Sequence, residues 1–116
     1  MKGYYSVFKG KNDQYFFNLK AGNNEIILQS QGYKTKENAL KGVSSVQANC
    51  SDDQNFSRKV AKDASRFFVL IAKNNEPIGS SEMYSSPQAM EKGIESVKNN
   101  GLTQEIKEIE KEELQH

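Results

Sequence analysis

The spacing of apolar residues changes from a strand period to a helical one in the first half of the chain, and the second half repeats the change. Tyr4-Tyr5-Ser6-Val7-Phe8 and Tyr15-Phe16-Phe17-Asn18-Leu19-Lys20-Ala21 are aromatic-rich and alternate in part, which predicts two half-buried strands. Gly22-Asn23-Asn24-Glu25 follows with residues that tolerate positive φ, so Glu25 to Gln31 reads as the return strand of a hairpin. Beyond Tyr33 the period is helical: Thr35 is placed to cap, and apolar residues at 39, 40, 43 and 46 form one narrow stripe.

Laid on itself at an offset of 51 residues, Phe16–Cys50 matches Phe67–Gly101 without a gap, at 15 identities in 35 positions. The identical positions include Asn23-Asn24-Glu25 with Asn74-Asn75-Glu76, Ile27 with Ile78, Tyr33 with Tyr84, and Gly42 with Gly93. This repeat selects the hairpin register. A two-residue turn would put residues 26 and 28 on the face of Leu19, but the second copy has Pro77 and Gly79 there. A three-residue turn with a bulge sets Ile27 and Ile78 opposite Leu19 and Leu70 instead, and both copies keep these isoleucines. The second helix is signalled by Ser86-Pro87, a cap followed by Pro at the first helical position, and by apolar residues at 89, 90, 94 and 97. Gly42 and Gly93 each cost a helix roughly 1 kcal/mol relative to Ala. With Ser45 and Ser96 one turn on, each forms a small-residue notch, and close approach of another backbone is the expected compensation.

The units span residues 3–50 and 54–101, each too small to bury a core alone. The expected fold is α+β: two tandem β-β-β-α repeats in a single domain, a pseudo-twofold globule in which each unit covers the apolar face that the other exposes. Residues 102–116 are expected to form a short C-terminal strand and a tail: Thr103 to Ile109 alternates enough to be an added strand, though the same residues could continue as helix, and the run beyond Ile109 has little to bury and is expected to fray.

Composition narrows function mainly by exclusion. A hydrophobic fraction of 35% and a mean hydropathy of -0.80 leave no room for a membrane span, and Met1-Lys2-Gly3-Tyr4 opens no signal-peptide core, so a cytoplasmic location is expected, while the core shared by the two units makes a monomer the expected state. Sixteen Lys and Arg against fifteen Asp and Glu argue against a polyanion-wrapping protein. One Cys and one His exclude a disulfide framework and a closed zinc site. Cys50 lacks a base, because His116 lies on the tail, and Glu25 and Glu76 sit on hairpin tips where nothing would raise a carboxyl pKa. No phosphate loop, zinc-protease helix or calcium loop is present, so the expectation is no enzyme, no metal and no cofactor.

Leu19-Lys20-Ala21-Gly22-Asn23-Asn24-Glu25 with Gly42-Val43-Ser44-Ser45-Val46, and Leu70-Ile71-Ala72-Lys73-Asn74-Asn75-Glu76 with Gly93-Ile94-Glu95-Ser96-Val97, resemble the YegP-like family of small uncharacterised bacterial proteins. The resemblance covers most of the chain and implies one antiparallel sheet built from both units, with both helices packed on one face and exchanged between repeats. It implies no activity, and it departs at the turn, where many members have Asn-Gly and this chain has Asn24 and Asn75.

One asymmetry between the copies points to a surface. The first has Asn18 and Lys20 on the face expected to be wet, while the second has Val69 and Ile71. Phe16, Phe67, Val69 and Ile71 are therefore the candidate binding surface, on the side of the sheet away from the helices. Asn23, Asn24, Glu25, Asn74, Asn75, Glu76, Gly42 and Gly93 are read as turn and packing positions. A protein- or peptide-binding module fits best. A weak nucleic-acid binder that stacks bases on Phe16 and Phe67 beside Lys9, Lys20 and Arg66 is the rival, and the presence of only two Arg counts against it.

Overall fold

The computed structural model of the protein describes residues 3–109. Its elements are β1 (Tyr4–Lys9), β2 (Tyr15–Lys20), β3 (Ile26–Ser30), α1 (Lys36–Asn49), β4 (Phe56–Val60), β5 (Arg66–Ile71), β6 (Pro77–Ser80), α2 (Pro87–Asn100) and β7 (Ile106–Ile109). The fray expected beyond Ile109, and His116 with it, lie outside the described residues.

Both Asn-rich turns are built alike. Asn24 and Asn75 take left-handed φ values of 69° and 67°. The side-chain oxygens of Asn23 and Asn74 accept from the N–H groups of Glu25 and Glu76 at 3.0 and 3.1 Å. Ala21 and Ala72 donate to the main-chain carbonyls of the same glutamates at 2.9 Å, so the glutamates close these turns through backbone. The three-residue register holds as far as Lys20 opposite Ile26. A further bulge then places Leu28, and not Ile27, opposite Leu19, and Gly79, and not Ile78, opposite Leu70. A bulge lets consecutive residues share a face, which regular alternation forbids, and Ile27 and Leu28 are both buried. Thr35 Oγ1 and Ser86 Oγ cap the helices by accepting from the N–H groups of Asn38 and Ala89 at 3.0 and 3.1 Å.

The β4–β5 turn contains Ala64 at φ 70°, with its N–H on the Ala61 carbonyl at 3.0 Å. A left-handed alanine costs roughly 1–2 kcal/mol, and part of this is offset by the greater unfolded-state freedom of the glycine that would relieve it. Ala64→Gly is expected to stabilise by about 0.5–1 kcal/mol, raising Tm by roughly 3–6 °C. A lowered Tm in thermal unfolding would remove the strain argument.

The sheet order is β4-β5-β6-β3-β2-β1-β7. Gln29 and Ser80, equivalent positions in the two repeats, pair directly, so the pseudo-twofold passes between β3 and β6. The sheet is not antiparallel throughout as expected, because β7 joins β1 in parallel. The cause is where α2 ends. Tyr5 Oη donates to the Gly101 carbonyl at 2.6 Å and the Gly3 N–H to Asn100 Oδ1 at 3.1 Å, so the helix delivers the chain to the start of β1. Running on along that edge gives a parallel strand.

Both helices cover one face, and each lies over strands of both repeats: α1 over β1 and β2 and over β5 and β6, α2 over β5 and over β2 and β3. A single buried cluster includes Tyr5, Phe17, Leu19, Leu28 and Val46 from the first repeat and Phe56, Phe68, Leu70, Ile94 and Val97 from the second. None of the described helices is long and apolar enough to cross a membrane.

Candidate binding face

The helix side of the sheet is occupied by packing. Phe17 stacks on Tyr33 with ring centroids 6.1 Å apart, and Phe68 on Tyr84 at 6.3 Å. Each tyrosine in turn lies in the notch of its own helix. A Cβ on Gly42 would lie 2.5 Å from Tyr33 Oη and 2.7 Å from Phe17 Cε2, and one on Gly93 would overlap Tyr84 Oη and lie 2.6 Å from its Cζ. The expected close approach thus involves an aromatic ring and not a second backbone. Burial raises the pKa of both tyrosines, that of Tyr84 further through nearby Glu82 and Glu25, and raises that of the Cys50 thiol as well. Such shifts keep these groups protonated and are the reverse of what a nucleophile needs. Among the described residues, no three His, Cys, Asp or Glu gather as a metal site.

The other face presents a row of residues set by the strand registers: Ser57, Val69, Ser80, Gln29, Asn18, Ser6 and Lys107. Val69 and Asn18 are equivalents in this row, but their surroundings differ. Asn18 is 2% exposed and Ser6 fully buried, so the face of the first repeat is not wet there as expected, and Ser6, Asn18 and Lys20 all have partners. Val69 and Ile71 are half-buried. Val69 borders a hollow of about 240 Å³ at the β3–β6 seam, lined also by Gln29, Pro77 and Ser80.

The four candidate residues do not form one patch. Phe67, Val69 and Ile71 follow one another along β5, with Lys59 beside Phe67. Phe16 is the second residue of β2, three strands away and at the opposite end of the sheet from Phe67, roughly 20 Å distant by strand spacing and rise. Phe16 is moreover stacked on Phe8 at 5.8 Å. The Asn-rich turns line two further clefts related by the pseudo-twofold. One, of about 420 Å³, brings Asn23, Asn24 and Glu25 to Tyr84, and the other, of about 340 Å³, brings Asn74 and Glu76 to Tyr33.

Sequence reasoning missed an ionic cluster beside β4. Arg58 donates through Nε to Glu91 at 2.6 Å and through Nη2 to Asp53 at 3.0 Å, while Lys98 Nζ reaches the same Asp53 oxygen at 2.9 Å. The arginine holds Glu91 and Asp53 below the usual carboxylate range. The signal was present in the alignment of the copies, where Arg58 takes the place of Val7, a core residue.

The sequence profile of the family described as "Domain of unknown function (DUF1508)" matches the chain twice, over residues 11–56 and 61–108. A UPF0339 protein of Acinetobacter baylyi is 50% identical over 109 residues, 94% of this chain and 98% of its own. The UPF0339 protein YegP of Yersinia pestis is 48% identical over 107 residues, 92% of this chain and 96% of its own. The solution NMR structure of yegP from E. coli, described as a protein of unknown function, superposes with a TM-score of 0.90 at 40% identity over 97% of each chain.

Proposed function

The chain belongs to the DUF1508 family, and on that footing we propose that it is a non-catalytic module, acting as a single cytoplasmic chain, that binds a protein or peptide through the open face of its second repeat. The observation that carries this reading is the contrast within one row. Asn18 is buried and engaged in the first repeat, while its equivalent Val69 is only partly buried and borders a hollow, with Ile71 two residues along the same strand. Apolar residues left on an open face serve no core on the other side, and their burial by a partner is favourable by about 25 cal/mol per Å². The separation of Phe16 from Phe67 counts against base stacking as the mode of recognition, since neighbouring bases need neighbouring platforms.

Val69→Asn combined with Ile71→Lys restores the residue types of the first repeat. The double variant is expected to retain stability within about 0.5 kcal/mol, as surface substitutions usually do, and to lose the partners that wild type captures from native lysate. Loss of several kcal/mol would place these side chains in the core, and unchanged capture by a stable variant would remove the functional claim. Binding that weakened steeply with salt would point to nucleic acid, because phosphate contacts release counterions and apolar burial does not.

A further inference from the structure

We infer that the outer edge of β4 is a strand-pairing surface for a second copy of this chain, and that Arg58 holds it shut. The first repeat shows that such an edge can pair: β1 takes β7 alongside it, with the Tyr5 N–H on the Glu105 carbonyl at 2.9 Å and pairing as far as Phe8 opposite Ile109. In β4, Phe56, Ser57, Arg58 and Lys59 stand at the places of Tyr5, Ser6, Val7 and Phe8. The Ala61 N–H bonds across the hairpin to the Ser65 carbonyl at 2.8 Å, so by strand alternation Ser57 and Lys59 face β5 with their backbone groups. Phe56, Arg58 and Val60 direct theirs outward, and β4 ends the sheet among the described strands.

Two features close this edge. The Phe56 N–H, equivalent to the group that receives β7 in the first repeat, is already bonded to the Asp53 carbonyl. The Arg58 guanidinium, held by Glu91 and Asp53, also lies 3.5 Å from the Phe56 carbonyl, the next outward acceptor. Arg58 further sets the energetics of self-pairing. An antiparallel twofold pair centred on its outward backbone would set Phe56 opposite Val60 of the second copy and Ser57 opposite Lys59, both tolerable. Val60 is 60% exposed and available for such a contact. The remaining opposition is Arg58 against Arg58, and like charges directly opposite destabilise a strand pair. A twofold pair of this kind closes on itself and yields a dimer, not a fibre.

The test is the mass in solution of full-length variants by light scattering. Arg58→Val, which installs the residue type of Val7, is expected to double the mass relative to wild type. Adding Val60→Pro, which removes an outward N–H and leaves the β4–β5 bonds in place, is expected to return it to the wild-type value. Arg58→Gln keeps the stem while removing the charge, and carries the same expectation should the valine variant not fold. A mass unchanged in the folded position-58 variant, or a doubled mass that Val60→Pro does not reverse, would overturn the inference. So would a wild-type dimer that Val60→Pro alone dissociates.

Discussion

Residues 1–52 expressed alone are expected to yield either an unfolded chain or a dimer, and no folded monomer. Truncation removes β6 from the side of β3, and with it Gly79, against which the fully buried Leu28 packs: a Cβ there would lie 3.1 Å from Leu28 Cγ. It also removes α2 and the Gly101 that caps it, whose carbonyl accepts the buried Tyr5 hydroxyl, and with them Ile94 and Val97, which belong to the same cluster as Phe17 and Leu19. A unit of about 50 residues buries too little apolar surface to offset its chain entropy even when intact, and this one would expose one face of its sheet. Pairing β3 with a second β3 would restore the seam approximately, because Gln29 and Ser80 already meet as equivalents. Circular dichroism and solution mass check the expectation, and a stable folded monomeric half would show that the core is not shared.

Gly42→Ala is expected to lower stability by up to about 2 kcal/mol, a drop in Tm of several degrees, even though alanine is the better helix former. The propensity gain is about 1 kcal/mol, while overpacking a filled site costs about 1–3 kcal/mol. The new methyl would press on Phe17 Cε2 and on the Tyr33 hydroxyl, and Phe17 is fully buried, so the ring has nowhere to go. Gly93→Ala is expected to cost less, because the atoms it meets all belong to Tyr84, which is half-buried and can tilt outward. Adding Tyr33→Phe to Gly42→Ala removes the nearest of the three atoms the methyl would meet and should recover part of the loss. Thermal unfolding of the variants decides the matter: a raised Tm in both single alanine variants would mean that the glycines are not packing residues.

Hairpin turns, helix caps and the repeat were legible because each rests on neighbours in the chain. Asn24 needs only its own tolerance of positive φ, and Thr35 only an N–H three residues away. The pairing of partly buried Val69 with a hollow was half legible, since alternation along β5 places it on the open face but cannot say that Asn18, its twin, is buried there. The direction of β7 was not legible at all, because it follows from where α2 deposits the chain. Nor was the reason for the mismatched pairs Leu28/Gly79 and Cys50/Gly101. In the folded chain each pair meets across the repeats, with a Cβ on Gly101 only 2.6 Å from Cys50 Sγ. Two equivalent positions that touch share one volume, and a single chain can fill it from one side only. The twofold that the repeat wrote into the sequence therefore had to be broken at these contacts, for a reason that exists only once the two halves are packed together.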